Sequence, residues 1–204
     1  MFVLALDTNS SICAVCLWQD GVVVASAHEQ MERGQDARLM PMVMAVMQQA
    51  SASFDQLDRI AVTRGPGSFT GVRVCLAAAR GIGIAASKPV IGINRFDIFR
   101  ALHDAPKQDL LVVIQSKRVD LFCQFYPAMG ATPEPCMMTE EQIAVFRTEH
   151  PDTLRINENN VIDENVIAMC ASLAAQADAA NPAYAPSPLY LRAPDVTLPS
   201  AKSR

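Results

Sequence analysis

Histidine is scarce in this chain: 204 residues include His28, His103 and His150 and no others, and these lie far apart. Zinc hydrolases are commonly built on two imidazoles one helical turn apart. The segment His28-Glu29-Gln30-Met31-Glu32 has the first histidine and the glutamate of such a motif but not the second histidine, and it begins at a strand end. A Ser or Cys nucleophile would need a histidine and an orienting carboxylate assembled by folding, and no local spacing announces one. Basic blocks are also missing. Lys and Arg number 17 against 21 Asp and Glu, a net charge of −4, which excludes a free-standing nucleic-acid binder, since such affinity comes from neutralising phosphates. Any RNA contact would come through a basic partner. Long apolar runs are absent too, being interrupted by Arg73, Arg80 and Lys88. The opening residues 1–6 have neither the basic leader nor the length of a signal sequence, so a cytoplasmic protein without membrane contact is expected.

What is plentiful is apolar surface, 50% of the residues, enough for a substantial core. Six cysteines are scattered at Cys13, Cys16, Cys75, Cys123, Cys136 and Cys170, five of them in apolar runs where a free thiol packs as a small hydrophobe. Cys13 and Cys16 form a C-x-x-C, but on a strand that odd spacing sends them to opposite faces, against a zinc or redox role. The carboxylates Asp7, Asp20, Asp36 and Asp120 are expected in solvated positions.

Residues 2–6, 12–18 and 22–27 read as three strands, the last two joined by a hairpin at Asp20-Gly21. The first connection, Asp7-Thr8-Asn9-Ser10-Ser11, is acidic and hydroxyl-rich. A helix over 36–49 follows. Leu39, Val43, Val46 and Ala50 form one stripe of it, and Met40, Met44 and Met47 a second, roughly 90° around at ~100° per residue. Such an arc fits a helix buried on two sides in its own domain, or one offering a methionine edge to another protein; the second reading is preferred. Pro41 should kink the helix or mark its first turn.

The most informative stretch is Arg64-Gly65-Pro66-Gly67-Ser68-Phe69-Thr70-Gly71-Val72-Arg73, between a strand at 60–63 and a helix reaching 86. Gly65 and Gly67 allow a sharp bend and exposed amides, and Ser68 or Thr70 can cap the helix. Two readings stand: a nest that holds an anion at a helix N-terminus, or glycines that let the helix pack closely. Within that helix Gly71, Cys75, Ala79 and Gly83 recur every fourth residue, permitting close approach of a neighbour. A strand at 89–93 and a helix at 96–102 complete a βββαβαβα order for residues 1–104, an α/β lobe with a mixed five-stranded sheet. Residues 105–204 read as a reduced second lobe with strands at 110–114 and 121–126, helices at 140–147 and 164–180, and a Pro-rich extended tail from 181.

Leu4-Ala5-Leu6-Asp7-Thr8, Leu39-Met40-Pro41-Met42, the decamer 64–73 and Leu189-Tyr190-Leu191-Arg192 together closely resemble the TsaB (YeaZ) family. These are bacterial proteins of threonylcarbamoyladenosine formation next to the tRNA anticodon. The resemblance implies an actin-like, Hsp70-like two-lobe fold of the ribonuclease H-like (ASKHA) type without catalysis of its own. It further implies a scaffold that binds the catalytic paralogue TsaD through N-lobe helices and cooperates with TsaE, touching tRNA only through the complex. A homodimer through the same patch is expected when the partner is absent. The catalytic relative carries two metal-binding histidines on the helix matching 36–49, where this chain has none, so no metal site is expected. The family's Gly-His-Ser ahead of that helix is Gly34-Gln35-Asp36 here. Its Ile-Asp-Ala-Arg in the second lobe is Ile114-Gln115-Ser116-Lys117-Arg118, and the lobe is shorter than usual.

The expected interface residues are Leu39, Met40, Val43, Met44 and Met47, with Gly71, Cys75 and Ala79 on the next helix. Asp7, Thr8, Gly65, Gly67, Ser68 and Thr70 are the candidates for an anion or nucleotide; no cofactor of the chain's own is expected, ATP or ADP belonging instead at the partner interface. The competing readings are a nucleotide hydrolase or kinase using Asp7, Thr8 and the Gly-rich turn, a glycoprotein metallopeptidase, and a purely structural module.

Overall fold

Strand β1 (Phe2–Asp7) is apolar at every position but its last, and it becomes the middle of a sheet buried on both faces. In this computed structural model, which describes residues 1–103, 108–116, 118–158 and 163–192, β1 pairs antiparallel with β2 (Ile12–Gln19) and parallel with β4 (Arg59–Thr63). With β3 (Val22–Gln30) and β5 (Val90–Ile93) the order is β3-β2-β1-β4-β5. The β2–β3 turn has both central residues at positive φ, Asp20 at 49° and Gly21 at 97°, the conformation that suits the strands' twist. β3 outruns the expected 22–27 because its last residues still pair with β2, Gln30 opposite Ile12.

Side chains alternate across β1 and β4. Leu4, Leu6, Ile60 and Val62 face a layer made of α1 (Gln35–Gln49) and α2 (Phe69–Ala86). Val3, Ala5 and Ala61 face the other way, against α3 (Arg95–Leu102) and α5 (Asp163–Gln176). Cys170, Ala171 and Ala174 of α5 are wholly buried, and their small side chains let the helix lie close to the sheet. Arg59 Nη1 donates to the carbonyls of Ala174 and Ala177, a cation at the negative end of that helix. The second half of the chain thus supplies one of the layers of the first sheet. The expected boundary between 104 and 105 lies outside the described residues.

The second sheet runs β8-β7-β6-β9, from β6 (Leu110–Ile114), β7 (Leu121–Tyr126), β8 (Cys136–Met138) and β9 (Leu154–Asn157). β6 is buried throughout; β8 and β9, three and four residues long, were not expected. α4 (Glu140–Glu149) starts at a capping box in which Thr139 and Gln142 bond each other's backbone amides. The expected Pro-rich tail begins with a short 3-10 turn at Pro182–Tyr184 and runs on to 192 against the first sheet. Residues 193–204 lie outside the described ones.

α2 has the length and composition to cross a bilayer, yet Val72, Cys75, Leu76, Ala79 and Ile82 are buried in the protein's own core and Arg73 and Arg80 stand on its exposed side.

Candidate functional site

The Gly-rich decamer bends where β4 gives way to α2, and its glycines are there for close approach. A Cβ on Gly67 would meet the Asn9 carbonyl oxygen at 2.3 Å, and one on Gly71 the Thr8 carbonyl oxygen at 1.9 Å. Gly65 lies in the left-handed region, φ 104°. The amide of Ser68 donates to the Asn9 carbonyl at 2.7 Å, and the Thr8 hydroxyl donates to the Gly71 carbonyl at 2.6 Å. Ser68 is the N-cap, its hydroxyl accepting from the Gly71 amide at 3.4 Å, and Thr70 lies inside the first turn. The turn therefore joins the β1–β2 connection to α2, and part of its hydrogen-bonding capacity is consumed within the protein.

Asp7 departs from its expected solvated position: it is buried, and its Oδ1 accepts from the Asn9 amide at 2.8 Å and the Thr63 hydroxyl at 2.6 Å. Asn9 Nδ2 in turn donates to Thr63 Oγ1 at 2.8 Å. The carboxylate organises the ends of β1 and β4 and the turn between β1 and β2.

A cleft of about 660 Å³ opens beside this knot. One wall carries Asp7, Asn9, Ser10, Ser11, Gly67, Ser68 and Thr70; the other, from the second sheet's end, carries Gln115, Ser116, Arg118 and Glu158, with Arg192 of the tail. Phe99, Phe122, Val166 and Ile167 give it apolar surface. The buried Arg95 spans the walls, donating to the Pro66 carbonyl at 3.1 Å and pairing with Glu158 at 2.9 Å; the other Glu158 oxygen accepts from the Gln115 amide at 2.9 Å. Asn9 Oδ1 and Arg95 Nε are buried without a hydrogen-bond partner among the described residues. Hydroxyls, a helix N-terminus and guanidinium groups along one opening suit an anionic group carried on an apolar body.

Of the residues expected to hold an anion, Asp7, Gly67, Ser68 and Thr70 line this cleft. Thr8 is fully buried and Gly65 faces the tail, so neither lines it. Arg95, Glu158, Arg118 and Arg192 were not singled out as site residues. Arg192 and Arg118 had a signal in the sequence, as the ends of the quoted tail and second-lobe motifs; Arg95 and Glu158 meet only through the topology. Lys117, in the second-lobe motif, lies outside the described residues.

The surface expected on α1 and α2 is much narrower than the apolar pattern implied. Leu39, Val43 and Met47 are buried beneath α1 in the protein's own core, as is Met42, while Met40 and Met44 are exposed. Gly71, Cys75 and Ala79 are buried as well, because the small-residue edge of α2 seats the helix on its own chain: Gly71 meets Thr8, and a Cβ on Gly83 would stand 2.4 Å from Val90 Cγ2. Pro41 neither starts α1 nor ends it; the helix runs unbroken from Gln35. Ala37, whose carbonyl loses a partner to the proline, is exposed to water. The helix begins at Gly34, φ 92°, with no side-chain cap, and Arg38 in its first turns donates to Glu29 of β3, which holds the Glu29 carboxyl below its ordinary range.

Cys13 packs with the α1–α2 layer and Cys16 with the α5 layer, on opposite faces of β2. Burial pushes these thiols up to about 11 and about 12, leaving both protonated at neutral pH. α1 offers no imidazole, and among the described residues no three His, Cys, Asp or Glu side chains gather in a metal-binding group. The residues present do not fit the metal site that the resemblance assigns to the catalytic relative.

Comparison with known proteins places this geometry. Residues 23–132 match the family model of TsaD, tRNA N6-adenosine threonylcarbamoyltransferase. The chain is 40% identical over 95 residues to the tRNA threonylcarbamoyladenosine biosynthesis protein TsaB of Escherichia coli (strain K12), covering 46% of this chain and 40% of that protein. To the tRNA N6-adenosine threonylcarbamoyltransferase of Erythrobacter litoralis it is 48% identical over 75 residues, 37% of this chain and 20% of that one. Even the 117-residue match to TsaB of Buchnera aphidicola (subsp. Schizaphis graminum), at 27% identity, covers 56% of this chain and 55% of the relative. The chain thus spans about half or less of the length of these relatives. In fold, the crystal structure of YeaZ from Pseudomonas aeruginosa agrees with a TM-score of 0.69 at 22% identity, over 93% of this chain and 99% of that one. A second structure from that organism, of an uncharacterized protein with similarity to peptidase YeaZ, reaches 0.70 at 23%, over 94% and 99%. The expected two-lobe α/β architecture is the one present, as in the YeaZ structures, stretches of the chain are similar to TsaB proteins, and the chain belongs to the family of TsaD, tRNA N6-adenosine threonylcarbamoyltransferase.

Proposed function

We propose that this protein is a non-catalytic subunit of the tRNA threonylcarbamoyl-transfer machinery, which binds and activates TsaD through the first lobe, residues 1–104. The observation that carries the reading is the exposure of Met40 and Met44, one turn apart on α1. Two large flexible apolar side chains held side by side at the surface are suited to burial against another protein. Support also comes from the likeness to TsaB proteins and from an α1 without histidine. Contact with tRNA then runs through the complex in the cytoplasm, and TsaE and a homodimer through the same face remain part of the proposal.

The test is size-exclusion chromatography of the chain mixed with TsaD from the same cell. Wild-type protein co-elutes with TsaD, and Met40→Asp with Met44→Asp abolishes co-elution while the monomer's circular dichroism and melting are unchanged. Undiminished co-elution of that double variant overturns the docking face. The cleft favours a second reading, nucleotide binding by the chain alone; titration of the isolated protein with ATP and ADP, wild type against Ser68→Ala, tests it.

A further inference from the structure

The tail is built into the fold more firmly than a terminal segment requires. The Leu189 amide donates to the Arg64 carbonyl at 2.8 Å, and Leu189 and Leu191 pack on the core cluster that includes α5. Two glycines make room for it: a Cβ on Gly92 would stand 2.6 Å from the Ala185 carbonyl oxygen, and one on Gly65 would stand 3.0 Å from that of Leu189. Beyond this anchorage Tyr190 lies against Phe69 at the start of α2, ring centroids 5.0 Å apart. Arg73 lies over the same Phe69 ring at 3.8 Å and donates from Nε to the Tyr190 hydroxyl at 3.1 Å. Arg192 then reaches away from the first sheet and pairs with Asp120, in the turn before β7 on the second. Asp120 is itself fixed by its carbonyl, which accepts from the Ser116 hydroxyl. Arg192, Phe69 and Ser116 all line the cleft.

We propose that residues 185–192 form a latch that, beside the more buried Arg95–Glu158 pair that also spans the walls, sets how far the mouth of the cleft between the two sheets opens. One end is fastened permanently, through the Leu189 bond and the leucines. The releasable end is the Arg192–Asp120 pair, whose side chains are 32% and 39% exposed. A pair that keeps this much contact with water is weaker and more salt-sensitive than a more deeply buried one such as Arg95–Glu158, which is what a releasable fastening needs. Tyr190 is the hinge between them: its ring and hydroxyl fix the direction in which Arg192 leaves the first sheet. The inference concerns access to the cleft and stands independently of the α1 docking face.

Double electron–electron resonance measures the opening directly. Nitroxides are placed on Thr70→Cys, on one wall, and Met129→Cys, exposed on the second-sheet side, in a Cys136→Ser background, the five remaining cysteines being buried. The unaltered latch gives one narrow distance. Arg192→Gln and the isosteric Asp120→Asn each broaden it toward longer distances, Tyr190→Ala does so more strongly, and the exchanged pair Asp120→Arg with Arg192→Asp restores it. Salt at 1 M has the same effect as Asp120→Asn. Amide exchange at residues 115, 116 and 118–121 rises about threefold in Arg192→Gln and in Asp120→Asn, the size expected of an ion pair in contact with water, while exchange in β1 and β4 is unchanged. A distance distribution that is the same in Asp120→Asn as in the parent overturns the latch, and so does an exchanged pair that behaves like the single variants while remaining folded.

Discussion

The Cα of Gly71 faces the carbonyl of Thr8 so closely that a Cβ there would stand 1.9 Å from its oxygen. The contact is backbone on backbone, so no side chain can move aside to relieve it. Gly71→Ala must push α2 away from the β1–β2 connection, and we expect it to cost about 3 kcal/mol or to prevent folding, at or above the upper end for overpacking. Gly81, in the same helix and with nothing within 4 Å, is the control. Gly81→Ala should raise stability by about 0.5 to 1 kcal/mol. Urea unfolding of the two variants checks the contrast.

α1 has a boundary that charge can map. Met44→Asp places a carboxylate in water and should change stability by no more than about 0.5 kcal/mol. Met47, three residues on and 3% exposed, lies in the core, and Met47→Asp should unfold the protein or shift the midpoint by several kcal/mol. Thermal melts of the two variants separate the exposed edge of α1 from its core edge.

Asp7 is expected to act in folding whether or not the cleft takes a ligand. Asp7→Ala removes the acceptor of the Asn9 amide and the Thr63 hydroxyl and should cost about 1.5 to 3 kcal/mol, the range for hydrogen bonds to a charged group. Any loss of ligand binding in this variant must therefore be read beside its melting curve.

The thiols should react in order of exposure. In native protein iodoacetamide should modify Cys136, which is exposed, ahead of the buried five; in denaturant all six cysteines should react. Burial raises the Cys136 thiol above its ordinary range, so its rate should go on climbing about tenfold per pH unit where an ordinary thiol levels off. Mass spectrometry of the alkylated protein follows both effects.

Period and turn chemistry made much of the first lobe readable. The alternation in β1 and β2, the Asp20-Gly21 turn and the strand–turn–helix at the decamer are local signals, and each lies where expected. The methionine edge shows where locality ends. Met40 and Met47 lie only about 20° apart on a helical wheel at ~100° per residue, yet one is exposed and the other buried, because the edge of the covering layer falls between them. That edge is set by α2 and the sheet, beyond the reach of the sequence of α1. The small-residue edge of α2 was equally plain as a pattern, but only the packed chain shows that it meets Thr8 and Val90. The cleft was least legible. Arg95 with Glu158 and Arg192 with Asp120 are brought together by the connections between two sheets, and no spacing rule records such a meeting.

The position of α5 on the first sheet has a consequence for synthesis. As the chain leaves the ribosome, β1 to β5 and their α1–α2 cover are complete long before residues 163–176 emerge. Until then Val3, Ala5, Ala61 and Ile91 lack the cover of α5 and leave apolar surface open to solvent. A nascent chain stalled after α3 would be a target for chaperones and for aggregation, and the first 103 residues made as a fragment should be insoluble until a peptide carrying α5 is supplied in trans.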